Sequence, residues 1–371
     1  MGRDQGPLSG RAFPIGARAS PLARIALAAY VILTAYASLY PLQGWHDYGT
    51  SPFDYLLAAW PRYISGFDVA VNVLGYVPFG VLGVAALHPR TRGAAAFAMV
   101  VAGAAALSLS LEALQSYLPS RDASNVDLLS NTVGGTLGAA LGLRVVPWML
   151  EHGPLKPVRD ALFLPGAEID FGLVLMGLWL FVQLNPATLL FGAGSLRELV
   201  VPQEGPARTA EFFALVETLI ASANVVAVAL LLSALTAPGR STRTLALALL
   251  ASALVVKSAA FALLMRADDL FGWLTPGAQL GLVLGLAAAL GALSLPRTTR
   301  LALAAVLLMA ATVLVNLAPP NPYFTATLKV WQQGHFLNFN GLTRLVSGAW
   351  PYTALAYLIF LAARRPREPL S

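Results

Sequence analysis

The chain of 371 residues contains no cysteine, which excludes disulfides, thiolate metal sites, iron–sulfur clusters and a cysteine nucleophile. Its four histidines are scattered without the spacing of metal ligands, so we predict neither a metal site nor a cofactor. Charged residues make up only 11% of the chain, against about 25% in soluble domains. This shortage of charge excludes an ordinary soluble globular protein.

Long apolar runs take the place of charged residues. The sequence is 57% apolar with a mean hydropathy of +0.68, and segments such as 245–256 and 301–317 carry no charge at all. Such runs are typical of transmembrane helices. We predict an all-α, polytopic helical bundle with ten spans. Their expected limits are 22–42, 69–88, 93–118, 125–145, 168–185, 211–236, 244–265, 277–295, 301–318 and 346–363.

The basic residues predict the orientation of this bundle. With both termini inside, sixteen of the 24 lysines and arginines lie in cytoplasmic segments and seven lie outside, while Lys257 falls within a span. That bias places both termini in the cytoplasm. It also accounts for the formal charge of +6, so we predict no nucleic-acid partner. A cleaved signal peptide is the alternative for the first span, but its basic lead is long and its apolar stretch continues to Leu42.

The spans suggest two membrane domains joined by a cytoplasmic linker. We expect a basic N-terminus at 1–21, a four-helix domain at 22–145, a linker at 146–167, a six-helix domain at 168–363 and a tail at 364–371. Two long outer loops are rich in aromatic residues. Residues 52–60 are too few to span and are expected to lie in the interface. Residues 319–345 form either an interfacial aromatic belt or a ligand-binding loop.

Polar residues within the first domain gather near its outer end. They recur at helical spacing on the second, third and fourth spans, and the loop at 120–125 adds an arginine above them. At 1.5 Å per residue, their depths below the outer boundary are about 6–10 Å on all three helices. Because polar groups in membranes need partners or a function, we predict one outward-facing polar pocket or a structural hydrogen-bond network. Its members are Asp68, Asn72, Glu112, Gln115, Arg121, Asp127 and Asn131.

These residues resemble the pattern of the VanZ-like family over roughly residues 22–145. That pattern has an asparagine followed by Pro-x-Gly, then Glu-x-x-Gln, and then an arginine, aspartate, asparagine and glycine in series. The matching positions are Asn72, Pro78, Gly80, Glu112, Gln115, Arg121, Asp127, Asn131 and Gly134. The resemblance implies a four-helix bacterial membrane domain, in a family named for a protein that gives low-level resistance to the glycopeptide teicoplanin. The six further helices do not belong to that minimal domain.

Two charges in the second domain also need partners. Glu217 and Lys257 lie on consecutive spans at depths of about 9 and 13 Å below the outer boundary. A structural ion pair is the simplest interpretation, and participation in a proton or substrate path is the alternative.

Three classes of function follow. The first is a VanZ-like envelope protein of the bacterial cytoplasmic membrane, linked to teicoplanin resistance, whose outer pocket contacts membrane lipids and binds a lipid-linked cell-wall precursor or related group. The second is an intramembrane enzyme in which Glu112 or Asp127 acts as general acid or base. The third is a secondary transporter that uses Glu217, Lys257 and the ten-helix body, although no internal repeat supports it.

Overall fold

The computed structural model describes residues 20–60, 62–153, 155–196, 208–264, 270–319, 321 and 337–364. Most of the predicted N-terminus (1–21), most of the tail (364–371) and residues 322–336 of the predicted outer loop at 319–345 lie outside the described residues. The predicted linker (146–167) is described except for residue 154. The domain limits therefore stay predictions.

The described part of the chain folds into α-helices and contains no β-sheet, which confirms the predicted all-α class. The eleven helices are α1 (Pro21–Leu39), α2 (Gly66–Leu87), α3 (Gly93–Gln115), α4 (Asn125–Pro147), α5 (Leu155–Leu162), α6 (Ala167–Val182), α7 (Ala210–Leu235), α8 (Thr242–Leu264), α9 (Pro276–Ala292), α10 (Arg297–Leu317) and α11 (Leu337–Ala363). The ten predicted spans correspond to all of these except the short α5. Among the described helices, eight are long and apolar enough to cross a membrane, whereas α6 and α9 have 16 and 17 residues.

Local sequence sets several helix starts. Ser20, Ser65, Ser124, Thr209 and Thr275 each accept a backbone N–H of the first turn, which satisfies a donor that has no partner within the helix. Proline at the first position of α1 and α9 fits because its missing N–H is not needed there. Each of these five residues lies at or within a few residues of a predicted span boundary.

Two hydrophobic cores form in the described chain. The smaller one joins α2, α3 and α4, and the larger one joins α6 to α11. Helix α1 packs against both, through Leu27 on the first and Leu33 on the second. The first helix is thus the structural contact between the two cores.

Backbones of α2 and α4 touch directly. A Cβ atom on Gly80 would meet the Gly135 carbonyl, and one on Gly138 would meet the Val77 carbonyl of α2. A Cβ atom on Gly134 would likewise meet the Val73 carbonyl of α2. Glycines at such spacing allow two membrane helices to approach more closely than side chains permit. This contact sets the mutual register of α2 and α4.

Helix α7 lies at the centre of the larger core. Almost every residue from Ile220 to Leu235 is buried, since α6, α8, α9 and α10 all contact it. Its continuous apolar sequence therefore faces protein rather than lipid over its second half. This is a helix that hydropathy alone does not distinguish from a lipid-facing span.

The chain after α6 enters the larger core without helical structure. Asn185, Leu190, Phe191 and Ala193 are all buried there, although residues 186–210 lie between two predicted spans. Non-helical backbone at membrane depth requires partners from the surrounding protein. The carbonyl of Gly194, for example, accepts a hydrogen bond from Asn316 Nδ2 at 2.8 Å.

Helix α11 begins nine residues before the predicted start at 346. Asn340, Thr343 and Ser347 lie along its first turns and are buried in the protein. Their polarity led to a prediction of loop structure. Inside the bundle the same side chains are compatible with a helix because they are buried against protein, and the Thr343 hydroxyl donates to the Asn340 carbonyl at 3.0 Å.

The close contact of α2 and α4 predicts opposite effects for two glycines of α2. Gly80→Ala should destabilise the protein by about 1–3 kcal/mol because the new methyl group overpacks against α4. Gly75→Ala should be neutral or stabilise it by up to about 1 kcal/mol, because its Cβ would meet nothing within 4 Å. The thermal unfolding midpoint of the purified protein measures both. Equal shifts for the two variants would contradict the packing.

The predicted orientation can be tested with single cysteines, since the natural chain has none. Ser120 and Ser241 are both exposed and fall on opposite predicted sides of the membrane. Ser120→Cys should react with a membrane-impermeant thiol reagent on intact cells, and Ser241→Cys only after permeabilisation. The reverse pattern would invert the topology.

Candidate functional site

The predicted polar residues of α2 and α4 meet through a direct hydrogen bond. Asn72 Nδ2 donates to Asp127 Oδ1 at 2.8 Å, so the two helices are joined at this end as well as at their glycines. Asp68 is exposed one turn above Asn72 and interacts electrostatically with Asp127. The α2 and α4 parts of the predicted cluster therefore lie together.

Glu112 joins α3 to the start of α4. Its side chain is only 3% exposed, and its Oε2 atom accepts the backbone N–H of Ser124 at 2.8 Å. Ser124 is the residue that caps α4. Glu112 also interacts electrostatically with Asp127 and Arg121. The carboxylate is thus the link between the third helix, the loop and the fourth helix.

Gln115 and Arg121 turn towards α1, which the sequence did not predict. Gln115 Nε2 donates to the Ser38 carbonyl at 2.8 Å, and Arg121 Nε donates to the Tyr40 carbonyl at 2.9 Å. Both carbonyls belong to the end of α1, where backbone acceptors lack intrahelical partners. The first helix is therefore a fourth wall of the site.

Deeper in the bundle, the third polar contact connects α3 and α4. Asn131 Nδ2 donates to Ser108 Oγ at 3.0 Å, and both residues are buried. Tyr76 of α2 points into the same region and is 4% exposed. Its hydroxyl is near Ser108 and Glu112 but makes no hydrogen bond of normal geometry in the described chain. A buried hydroxyl without such a bond destabilises the folded protein unless another group supplies a hydrogen bond.

Residues 43–60 cover this end of the bundle. Asn125 Nδ2 donates to the Ala58 carbonyl, and the Tyr55 hydroxyl donates to the Leu109 carbonyl at 3.4 Å. Tyr55 is buried, and burial together with the nearby Glu112 carboxylate raises the pKa of its hydroxyl. Leu57 and Trp60, by contrast, are 95% and 60% exposed. This cover has one aromatic anchor inside and an apolar outer surface, as expected for an interfacial segment.

The charge balance of the site is acidic. Among the described residues of the cluster, Asp68, Glu112 and Asp127 face a single arginine, and burial lowers the pKa of Arg121 while Glu112 opposes that shift. An arginine remains cationic despite such a shift. The site can accept hydrogen bonds from an amine or hydroxyl donor through its carboxylates, and the arginine can attract an anionic group.

Sequence reasoning missed two tyrosines and the end of α1. Tyr76 follows Asn72 at i, i+4, so the polar stripe of α2 could have been extended to it. Tyr55 lies in a run that resembles any interfacial aromatic segment. The carbonyls at the end of α1 could not be found from the sequence, because every residue has a backbone carbonyl.

Together, the helical body and the apolar spans indicate a multi-pass membrane protein with a buried polar cluster at one end of a small helix bundle. Within it, residues 23–146 match the family model described as VanZ/LLP1, which is a segment of the chain and confirms the resemblance seen in the sequence. Comparisons with curated proteins and with solved structures gave no match.

Glu217 and Lys257 are both buried in the larger core. Lys257 Nζ donates to the carbonyls of Asn185 at 2.7 Å and Thr188 at 2.9 Å, both on the buried non-helical segment. Glu217 accepts the Thr275 hydroxyl at 2.5 Å. The two charges interact electrostatically, but each makes these hydrogen bonds to other groups. Their pairing stays a prediction.

A double-mutant cycle measures that pairing. Glu217→Ala and Lys257→Ala should each lower the free energy of unfolding, and the double variant should lose about 1 kcal/mol less than the sum of the two losses. The matched control is Glu211→Ala, an exposed acid on the same helix. Its effect should add to that of Lys257→Ala. Strict additivity for Glu217 as well would exclude coupling.

Proposed function

We propose that this protein acts in the bacterial cell envelope, in the cytoplasmic membrane, and that its four-helix segment binds a polar group at the outer leaflet. The predicted ligand is lipid-linked or related to the cell wall, and the expected phenotype is altered susceptibility to the glycopeptide teicoplanin. The VanZ/LLP1 match over residues 23–146 supports the envelope role. The geometry of the cluster supports the binding role.

The observation that carries the proposal is the Tyr76 hydroxyl. Structural networks in membranes satisfy their polar groups, because unsatisfied ones are costly in an apolar surrounding. Here the other polar side chains of the deep layer are bonded to each other, as Asn131 is to Ser108. The hydroxyl of Tyr76 lies beside them without a hydrogen bond of normal geometry. A bound group with its own donor or acceptor would complete the layer.

The surplus of acids gives the chemistry of that group. Glu112 and Asp127 are positioned by single hydrogen bonds from Ser124 and Asn72, and each carboxylate can accept several. Sugar hydroxyls and amines supply such donors. Arg121, held beside Glu112 by its bonds to the end of α1, would orient a phosphate or carboxylate on the same ligand.

Secondary transport is the second candidate, and the buried segment after α6 favours it. Transporters often bind substrate where a helix is interrupted at membrane depth. Here Lys257 holds the carbonyls of such a segment, with Glu217 nearby. Accumulation of a solute in protein-containing vesicles, lost in Lys257→Ala, would favour transport over binding alone.

Four substitutions test the binding site. Glu112→Gln, Asp127→Asn and Arg121→Lys should abolish the teicoplanin phenotype while the protein still folds, because shape is kept and charge or bidentate geometry is lost. Tyr76→Phe should abolish it too, yet leave the unfolding midpoint unchanged or higher, since a buried hydroxyl without a well-formed hydrogen bond is removed. The assays are glycopeptide susceptibility of cells and thermal unfolding of the purified protein.

The matched control is Asp122→Asn, which removes an exposed acid from the same loop. It should change neither measurement. If the four variants lose phenotype only in proportion to lost stability, the cluster is a scaffold and the binding proposal fails.

A further inference from the structure

An open groove lies between α10 and α11 at the opposite end of the larger core from the Lys257 cluster. It encloses about 420 Å³, and apart from Arg297 and Thr298 its walls are aliphatic. Leu301 and Ala305 form one wall, and Leu358 and Ile359 form the other. From Arg297 to Ala305 the groove runs along α10 for about 12 Å.

The polar end of the groove carries unpaired positive charge. Within the part of the chain that the structure describes, the Arg297 guanidinium has no hydrogen-bond or ion-pair partner. Arg300 follows at i+3, and its Nε atom is buried without a hydrogen-bond partner among the described residues. None of the described residues that line this groove is acidic. Cations beside an apolar channel are complementary to an anionic head group with an acyl chain.

A second groove on the other side of α11 gives an internal contrast. It has a similar volume of about 460 Å³ and also contains an arginine, Arg364. There, however, Arg364 Nη1 is paired with Glu168 Oε1 at 3.1 Å and its guanidinium lies 4.5 Å from the Phe360 ring centroid. Its charge is already neutralised, so this groove offers no comparable attraction for an anion.

We propose that the groove between α10 and α11 is a binding site for an anionic phospholipid. The phosphate lies at Arg297 and Thr298, and one acyl chain lies along the aliphatic walls. Under the predicted topology this is the cytoplasmic leaflet, where arginines at helix ends contact anionic lipids. This site is separate from the outer cluster and does not depend on the proposed function.

The experiment compares phosphatidylglycerol with phosphatidylcholine of identical acyl chains, bound to the purified full-length protein and counted by native mass spectrometry. The wild-type protein should bind phosphatidylglycerol at least about fivefold more tightly than phosphatidylcholine. Arg297→Gln should lower that ratio of affinities roughly fivefold. Arg243→Gln, an exposed arginine on the same predicted side, is the matched control and should have no effect.

A second variant tests the channel without changing charge. Ala302 is exposed and lines the groove, so Ala302→Phe should fill it without disturbing the core and should weaken binding of both lipids. Equal affinity of the wild type for both lipids, or equal effects of Arg297→Gln and Arg243→Gln, would overturn the proposal. So would a change in oligomeric state with Ala302→Phe and unchanged lipid binding, which would assign the groove to a second copy of the chain.

Discussion

The backbone contact between α2 and α4 is the constraint on which the candidate site depends. Gly80, Gly134 and Gly138 bring the two helices together without intervening side chains. About two to three turns further along, the same register sets Asn72 against Asp127 at hydrogen-bond distance. Short side chains such as asparagine and aspartate can meet only if their helices are this close. The close packing at the glycines is therefore what allows the polar residues of α2 and α4 to form a hydrogen bond.

Polar groups make different kinds of hydrogen bonds in the two cores. In the smaller core they join helices to one another and to the end of α1, around an acidic cluster. In the larger core Lys257 instead stabilises a non-helical segment by donating to its carbonyls. Both arrangements follow from the absence of water, because a polar group there must find its partner within the protein. Among the described residues, each core also leaves buried polar atoms without a well-formed bond: the Tyr76 hydroxyl in the smaller one, and Trp179 Nε1 and Gln183 Oε1 in the larger one.

Much of this architecture could be predicted from sequence, because apolar length and charge placement are strong signals in membranes. Each of the ten predicted spans corresponds to a helix, eight of them long enough to cross a membrane, and the polar stripes of α2, α3 and α4 do lie together. The start of α11 could not be predicted, since Asn340 has the polarity of a loop residue. The buried segment after α6 could not be predicted either, since Pro186, Gly192 and Gly194 are residues typical of loops. Which polar side chain faces protein rather than water depends on tertiary packing. The partners on α1 are backbone atoms, which no pattern of side chains reveals.

The cover formed by residues 43–60 has a consequence for how an occupant reaches the site. Tyr55 closes the interior side, while Leu57 and Trp60 present an apolar surface outwards. With the predicted topology that surface dips into the outer leaflet, so the nearest approach is sideways from the bilayer. Encounter then takes place by diffusion in two dimensions. Occupancy is governed by the mole fraction of the occupant among outer-leaflet lipids, and diluting the surrounding solution leaves it unchanged.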